Sequence, residues 1–297
     1  MESQKVQVLM STYNGEQFLR EQIESVLNQT WKNFDILIRD DGSKDQTREI
    51  LKDYRDKHSN IHIYLEENCG VTRSFFELLK KSDADFVAFC DQDDIWMEQK
   101  IEKAVAKLRQ EQGPVLYCSN KILADSTGNP MHQQDSRRRR PGFGNAVVEC
   151  ICTGCTAVMN RQLAEIIKTR LPDRAILHDW WSYLAACYVG TVIFDEHAYI
   201  KYRQHGQNVV GARPGFWGEV RSKAAYLRKN RGRLKGQLMD FAELYQGDSR
   251  KDALVQRILA AQYFPGRVKI LWEREIFRQS VLDEIVMRIL FLINRML

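Results

Sequence analysis

Three clusters of polar side chains give this sequence its potential for chemistry. The clusters are Thr12-Tyr13-Asn14, Asp40-Asp41 and the stretch Asp91–Asp94. Each directly follows a short apolar run that is typical of a buried β-strand. A single acidic pair after a strand is usually a solvated turn. Three clusters at neighbouring strand ends instead indicate one shared ligand site, because ligands of open α/β sheets bind beyond the carboxyl ends of the strands.

The third cluster has the residue types that handle a charged leaving group. A nucleoside diphosphate carries negative charge, which a hard divalent cation neutralises through carboxylate and phosphate oxygens. Asp91 and Asp93 are two residues apart on an extended segment, so their side chains lie on the same face of it and can approach one ligand together. One carboxylate can then reach a ribose while the other reaches the metal. The motif Asp-x-Asp alone occurs by chance in many loops, so its position at a strand end is stronger evidence for a site than the motif itself.

Alternating β-rich and helical patterns in the first half predict βαβ units and a largely parallel sheet. The predicted strands are Val6–Met10, Phe34–Arg39, Ile61–Leu65, Phe86–Cys90, Val115–Ser119 and Thr191–Phe194. The predicted helices are one from Phe18 to Leu27 capped by Asn14, then Thr47–Tyr54 and Ser74–Lys81. The fold class is therefore α/β, with a mostly parallel central sheet flanked by helices.

The chain divides into two parts by composition. Residues 1–215 form the predicted catalytic domain, and residues 216–297 form a basic, amphipathic helical appendage whose last helix spans Val281–Leu297. A polar stretch, Asp125–Gly144, is predicted to be a mobile loop. It contains the run Arg137–Arg140, which fits either a solvated charge run or a contact with an anionic acceptor.

The basic character of the chain lies in its C-terminal part. The net charge is +5, but residues from Arg213 onward hold 17 Lys/Arg and nine Asp/Glu, a net of +8. Such a region favours an anionic partner: nucleic acid, a membrane surface or a phosphorylated lipid. Zinc-finger spacing and an aromatic-basic RNA motif are both missing from the sequence, so we expect no nucleic-acid partner.

The cysteines and the hydropathy pattern indicate the compartment. Seven cysteines lie in apolar surroundings, and the group Cys150, Cys152 and Cys155 lacks a second ligand pair at zinc-like spacing. We therefore expect free, structural cysteines in a reducing compartment. Runs of about 18 apolar residues and a signal-peptide pattern are missing, so we expect a cytoplasmic protein.

Several motifs in order resemble one enzyme family. Segments 10–15, 23–30 and 39–47 (MSTYNG, IESVLNQT and RDDGSKDQT) resemble the opening of family-2 glycosyltransferases of GT-A fold, and Asn68-Cys-Gly70 and Phe89–Trp96 continue the match. Thr153-Gly-Cys155, His178-Asp-Trp-Trp181 and Tyr202-Arg-Gln-His205 with Asn208 resemble the bacterial rhamnosyltransferase branch. The resemblance covers roughly residues 5–212.

The resemblance implies roles for individual residues. Thr12 and Tyr13 would border the nucleobase and Asp40 would bind its imide edge, while Asp91 would meet the ribose. Asp93 would bind the metal, Mg²⁺ or Mn²⁺, and Asp179 would be the catalytic base. The other donor-binding residues that it implies are Asn14, Asn68, Arg73 and Gln92.

Three residues in the late motifs each have two possible roles. His205 fits either a metal ligand or a structural histidine, and Trp180 and Trp181 fit either core packing or a platform for an acceptor sugar. The family's more common Glu-Asp motif is replaced by His178-Asp179, which keeps the acid in second place.

Together these features predict an inverting, metal-dependent glycosyltransferase. The donor is expected to be dTDP-L-rhamnose and the acceptor a saccharide or lipid-linked molecule of bacterial surface polysaccharide synthesis. The alternatives are a hexosyl or N-acetylhexosaminyl transferase that uses a UDP-sugar, and a non-catalytic sugar-nucleotide-binding protein. The basic appendage would hold the enzyme on the inner face of the plasma membrane or form a protein interface, such as that of a homodimer.

Overall fold

The computed structural model describes residues 4–134, 139–205 and 232–297. In these ranges the strands are β1 Val6–Thr12, β2 Phe34–Asp41, β3 Ile61–Glu66, β4 Phe86–Cys90, β5 Ile95–Trp96, β6 Val115–Ala124, β7 Pro130–Gln134, β8 Val158–Asn160 and β9 Thr191–Arg203. The helices before residue 206 are α1 Leu19–Leu27, α2 Thr47–Lys57, α3 Val71–Lys81, α4 Lys100–Leu108, α5 Phe143–Ala146, α6 Arg161–Lys168 and α7 His178–Val189, with a 3-10 turn at Gly154–Thr156. The C-terminal helices are α8 Arg233–Leu244, α9 Ser249–Ala260, α10 Phe264–Leu271 and α11 Val281–Leu292.

The described strands form one mixed sheet in the order β3-β2-β1-β4-β8-β6-β9-β5, with β7 on β6. The strands β1 to β4 are parallel, as the βαβ pattern predicted. β8 is antiparallel to both β4 and β6, and β9 runs parallel to β6. The carboxyl ends of β1, β2 and β4 therefore meet at one edge of the sheet, where the three polar clusters lie.

Alternating residues of the central strands point into two apolar layers. Val8, Ile36 and Ala88 face one core, which α1, α2 and α4 cover. Leu9 and Phe89 face the other, which α3, α6, α7 and the C-terminal helices cover. A sheet buried on both faces needs helices on both sides, so the C-terminal helices contribute to the same core as the catalytic half. The predicted domain boundary at 215/216 lies outside the described residues.

Two local predictions were wrong. Asn14 does not cap α1, because that helix begins after Phe18; Asn14 has a φ of 48° and its Oδ1 accepts a hydrogen bond from the Lys44 amide. The stretch Asp125–Gly144 is not one loop, since β7 pairs with β6 inside it and α5 begins at Phe143. Both β7 and α5 lie in polar sequence, which gave no periodic signal for a strand or a helix. β7 is also short, and its partner among the described strands is β6.

All seven cysteines are free in the structure, and five of them are buried. In the described ranges no helix is long and apolar enough to cross a membrane. The five arginine and lysine positions 221, 223, 228, 229 and 231 lie outside those ranges, as do Arg137, Arg138 and Asn208.

Candidate active site

The first two clusters form a wall held by hydrogen bonds within the protein. Asp40, at the end of β2, is fully buried. Its carboxylate accepts hydrogen bonds from the Ser43 amide at 3.0 Å, from Arg48 Nε at 2.7 Å and from Thr12 Oγ1 at 3.3 Å, and from the Ser43 hydroxyl. These four donors satisfy the hydrogen-bonding capacity of the buried carboxylate. This arrangement links the ends of β1 and β2 firmly.

Asp41 has a similar environment on the neighbouring side. It accepts hydrogen bonds from the backbone amides of Cys69 and Gly70, at 2.8 and 2.9 Å, and pairs with Arg39. Burial would raise the pKa of Asp41, but these donors outweigh it and hold that pKa below its ordinary value. Asn68 also belongs to this wall, because its Nδ2 donates to the Asp41 carbonyl at 2.8 Å. Arg73, on α3, is exposed and lies 3.9 Å from Glu77.

Gln92 fixes the segment after β1. Its Oε1 accepts from the Tyr13 amide at 2.8 Å, and its Nε2 donates to the Tyr13 carbonyl at 3.1 Å. Gly15 has no side chain, and a Cβ there would lie 2.3 Å from the Gln92 Oε1. Gln92 therefore holds in place the backbone that carries the exposed Tyr13 ring.

Asp93 and His205 meet at the opening of a cleft. Asp93 Oδ2 lies 2.8 Å from His205 Nε2, although 112 residues separate them in the chain. The His205 ring also lies 4.8 Å from the ring of Phe18. A carboxylate oxygen and an imidazole nitrogen are both ligands that divalent transition metals accept. The donor chemistry of this pair therefore fits a cation such as Mn²⁺.

Arg203 holds the two segments that carry this pair. It is buried, and its backbone amide donates to Asp94 Oδ1 while its Nε donates to the Asp93 carbonyl. Its Nη2 reaches Glu21 at 2.6 Å. The sequence motif around Tyr202 contained Arg203, but gave it no role. Its Nη1 also donates to the Ser126 carbonyl at 2.7 Å. Its role required the structure, because its acceptors lie on three separate segments.

The structure also brings together Asp91, Asp94 and Cys155, whose candidate ligand atoms lie within 4.8 Å of one another. Burial raises the pKa of Asp94 to about 7, and the neighbouring Asp93 adds to this effect. Burial and the two carboxylates raise the pKa of the Cys155 thiol well above its ordinary value. Two carboxylates and a thiol at this spacing form a second group that could hold a metal ion.

Asp179 lies at the first turn of α7. Its Oδ2 accepts from the Gly154 amide at 2.9 Å and its Oδ1 from the Trp180 amide at 2.7 Å. Burial raises the pKa of Asp179 to about 6, because it outweighs these two donors and the positive charge of Lys121. Such a carboxylate is ionised near neutral pH and is basic enough to accept a proton.

The neighbours of Asp179 belong to the core. His178 stacks on Phe75 at 3.8 Å, and burial lowers its pKa to about 3, so it stays neutral. Trp181 is fully buried, and Trp180 donates its indole N–H to the Ala146 carbonyl at 2.7 Å. Both tryptophans therefore pack in the core and offer no platform to an acceptor sugar.

Lys121 was missed by the sequence reasoning. Its Nζ donates to Thr153 Oγ1 at 3.0 Å and lies 4.1 Å from the centre of the Tyr202 ring. Its positive charge lowers the pKa values of Asp91 and Asp179, while Asp179 and Asp93 in turn raise that of Asp91. The three carboxylates and this lysine therefore lie within electrostatic reach of one another.

The cleft itself has a volume of about 360 Å³. The residues that line it include Asn14, Gly15, Phe18, Lys44, Gln92 and His205. Volumes of roughly 300–1,000 Å³ are usual for small-molecule sites. The cleft thus joins the wall formed by β1 and β2 to the Asp93–His205 pair.

Comparison with known proteins identifies the family. Residues 7–167 match the family model "Glycosyl transferase family 2". The dTDP-rhamnosyl transferase RfbG of Shigella flexneri is 28% identical over 96% of this chain and 99% of its own. TuaG of Bacillus subtilis, which is named for teichuronic acid biosynthesis, is 29% identical over 60% of this chain and 71% of its own.

Solved structures agree on the fold. S. aureus TarS in complex with UDP-GlcNAc superposes with a TM-score of 0.61 and 20% identity, over 86% of this chain and 70% of that one. The mannosyltransferase PcManGT from Pyrobaculum calidifontis, in complex with GDP-Man and Mn²⁺, gives a TM-score of 0.51 at 18% identity, over 89% and 82%. This chain belongs to glycosyl transferase family 2: it is an inverting glycosyltransferase of GT-A fold that acts on nucleotide sugars.

Proposed function

We propose that this enzyme transfers L-rhamnose from dTDP-L-rhamnose to a saccharide or lipid-linked acceptor in the synthesis of a surface polysaccharide. The observation that carries the site assignment is the convergence of Asp179, Asp91 and Lys121 beside the Asp93–His205 pair. In this proposal Asp179 is the base, and the wall of Thr12, Asp40 and Gln92 holds the nucleotide.

The chemistry is a single displacement. Asp179 takes the proton of an acceptor hydroxyl as that oxygen forms a bond to the anomeric carbon. The bond between this carbon and the diphosphate oxygen breaks, and dTDP leaves with the electron pair. The transition state resembles an oxocarbenium ion, as in other glycosyl transfers. Attack from the face opposite the diphosphate inverts the anomeric configuration.

The donor set fits a divalent cation, and Asp93 and His205 are the residues that would hold it. Such a cation supplies charge neutralisation to the departing diphosphate. Lys121 would support the same end of the reaction, because its ammonium lies among carboxylates that otherwise repel a phosphate. Asp91 would then contact the ribose, and Arg73, exposed on α3, would meet the donor when it enters.

The donor sugar rests on two lines of support. One is the resemblance of the three late motifs to the rhamnosyltransferase branch. The other is the similarity to the Shigella flexneri rhamnosyl transferase over nearly the whole length of both chains. The second candidate donor is a UDP-sugar, and the likeness to TarS with UDP-GlcNAc favours it.

A donor panel separates the two candidates. Calorimetry of the full chain with Mn²⁺ and each nucleotide sugar should give binding of dTDP-rhamnose that is at least about tenfold tighter than that of UDP-glucose or UDP-GlcNAc, about 1.4 kcal/mol. Tight UDP-sugar binding with no response to dTDP-rhamnose would reassign the donor and leave the family unchanged.

The nature of the acceptor bears on the role of the C-terminal helices. A lipid-linked acceptor would lie at a membrane surface, so the proposal includes attachment to the inner face of the plasma membrane in the cytoplasm. The competing proposal is that these helices form the interface of a homodimer. Arg139 does not support the predicted contact with an anionic acceptor, because it pairs with Glu284 at 2.8 Å.

A further inference from the structure

Helices α10 and α11 form a hairpin whose outer side is apolar. On α11 the exposed residues are Val281, Leu282, Ile285, Val286, Ile289 and Leu292, followed by Ile293. On α10 they are Phe264 and Val268, flanked by Tyr263 and Trp272. Trp272 and Leu282 are 81% and 71% exposed. Proteins that act as free monomers rarely keep so many large apolar side chains together in water.

This apolar side is rigidly built. Met287 and Phe291, on the opposite face of α11, are buried in the core. The Arg288 guanidinium donates to the carbonyls of Ile270, Leu271, Glu273 and Ile276, which ties the connection between the two helices to α11. The exposed residues are therefore the outward face of an anchored hairpin, and their exposure does not come from a frayed terminus.

The charges of the hairpin divide into two groups. Three of its four acidic residues pair with arginines: Glu273 with Arg257, Glu275 with Arg250, and Glu284 with Arg288. The fourth is Asp283, in the first turn of α11. Lys269, Arg274 and Arg295 are exposed, and within the described part of the chain their side chains make no hydrogen bond or ion pair to a protein group. The local field that remains is positive, and it lies beside the apolar residues.

We propose that the α10–α11 hairpin docks on an anionic lipid surface. Apolar side chains enter the region between headgroups and acyl chains, while lysine and arginine attract anionic headgroups. Trp272 and Tyr263 are the residue types that settle at the boundary between lipid and water. A second protein copy explains the apolar side but gives no role to three unpaired cations. The purpose of docking rests on the proposed lipid-linked acceptor, whereas the docking itself does not.

Vesicle co-sedimentation of the full chain tests this proposal. Vesicles of phosphatidylcholine alone are compared with vesicles that contain phosphatidylglycerol, at low and at high salt. We expect binding to the anionic vesicles, with a loss at high salt because the charges are screened. The triple variant Lys269→Gln, Arg274→Gln, Arg295→Gln should bind about a hundredfold more weakly, since each cation near the surface contributes about fivefold.

Matched variants separate the apolar contribution from general damage. Phe264→Ser, Trp272→Ser and Leu282→Ser together should abolish binding even at low salt. The control Met131→Ser with Met239→Ser changes exposed apolar residues away from the hairpin and should bind normally. Lys52→Gln, Lys103→Gln and Lys107→Gln together are the control for charge, because these lysines are exposed on α2 and α4.

Two further readouts decide between outcomes. Sedimentation velocity of the intact chain without lipid should show no change on Phe264→Ser, Trp272→Ser and Leu282→Ser. If the intact chain ignores anionic vesicles at low salt, or the same triple variant dissociates a dimer, the hairpin is a protein interface and this proposal is overturned. Donor hydrolysis without acceptor should be equal in all variants, so a loss of docking cannot be confused with a failure of the proposed chemistry.

Discussion

The carboxylates near the cleft form two groups with opposite environments, which we call the nucleotide wall (Asp40 and Asp41) and the reaction wall (Asp91, Asp94 and Asp179). On the nucleotide wall, Asp40 and Asp41 each accept several hydrogen bonds from protein donors. On the reaction wall, burial raises the pKa values of all three carboxylates, and neighbouring carboxylates add to this effect for Asp91 and Asp94. A carboxylate that accepts many hydrogen bonds stabilises the local structure, whereas one that accepts few can still bind a proton or a cation. The difference separates residues that build the site from residues that would react.

The largest effect is expected at Asp179. Asp179→Asn keeps the size of the side chain and removes the proton acceptor, so turnover should fall by about 10²–10⁴-fold. Donor binding, measured by calorimetry, should stay within about twofold. Asp173→Asn, at an exposed position shortly before α7, is the matched control. Near-normal turnover in Asp179→Asn would show that another group takes the proton.

The pH profile sharpens the same assignment. The base works only when it is ionised, so kcat/KM should rise with pH and level off above a midpoint near 6, the pKa of Asp179 in the free enzyme. Lys121→Met removes a positive charge and should move this midpoint upward. A midpoint near 4 would mean that the reacting carboxylate is one with many donors, and the contrast between the walls would fail.

The next largest effect is expected at the Asp93–His205 pair. Asp93→Ala should lower turnover by about 10²–10³-fold, the usual cost of losing a group that stabilises transition-state charge. Added Mn²⁺ should quench tryptophan fluorescence or bind by calorimetry in the parent chain but not in this variant. Asp56→Ala, at an exposed surface ion pair, is the control. Full activity of the parent chain in excess chelator would contradict a metal at this pair.

Gly154 tests how closely the base is positioned. A Cβ at this residue would lie 2.9 Å from His178 Nε2 and 3.4 Å from Asp179 Oδ2. Gly154→Ala should therefore displace the base, and a displacement of about 1 Å costs roughly 10²-fold in rate. Gly142→Ala is the control, since a Cβ there meets only Phe277 at 3.9 Å. Unchanged kcat with unchanged melting temperature would show that the turn adjusts freely.

The smallest effect is expected on the nucleotide wall. Gln92→Ala removes both hydrogen bonds that fix Tyr13. Two such bonds contribute about 1 kcal/mol each, so the KM for the donor should rise about thirtyfold with little change in kcat. Gln110→Ala, at an exposed position just after α4, is the control. An equal fall in kcat would place Gln92 on the reaction wall instead.

The sequence alone determined the parallel part of the sheet and the strand ends that carry the polar clusters. Apolar runs and helical spacing are local properties, so β1 to β4 and α1 to α3 were predicted close to their observed positions. The family motifs identified Asp93, Asp179 and His205 for the same reason, since each lies in a short recognisable segment. Local patterns failed at Asn14 and β7, where polar residues make contacts that no periodicity records.

The tertiary structure decided what those residues meet. Asp93 faces His205 across 112 residues of chain, and Arg203 joins segments more than 100 residues apart. The raised pKa of Asp179, the position of Lys121 and the outward apolar side of α11 likewise depend on which surfaces the folded chain buries. Burial and long-range contacts are properties of the whole packed molecule, which is why a sequence read segment by segment names candidate reacting groups but does not show their environment.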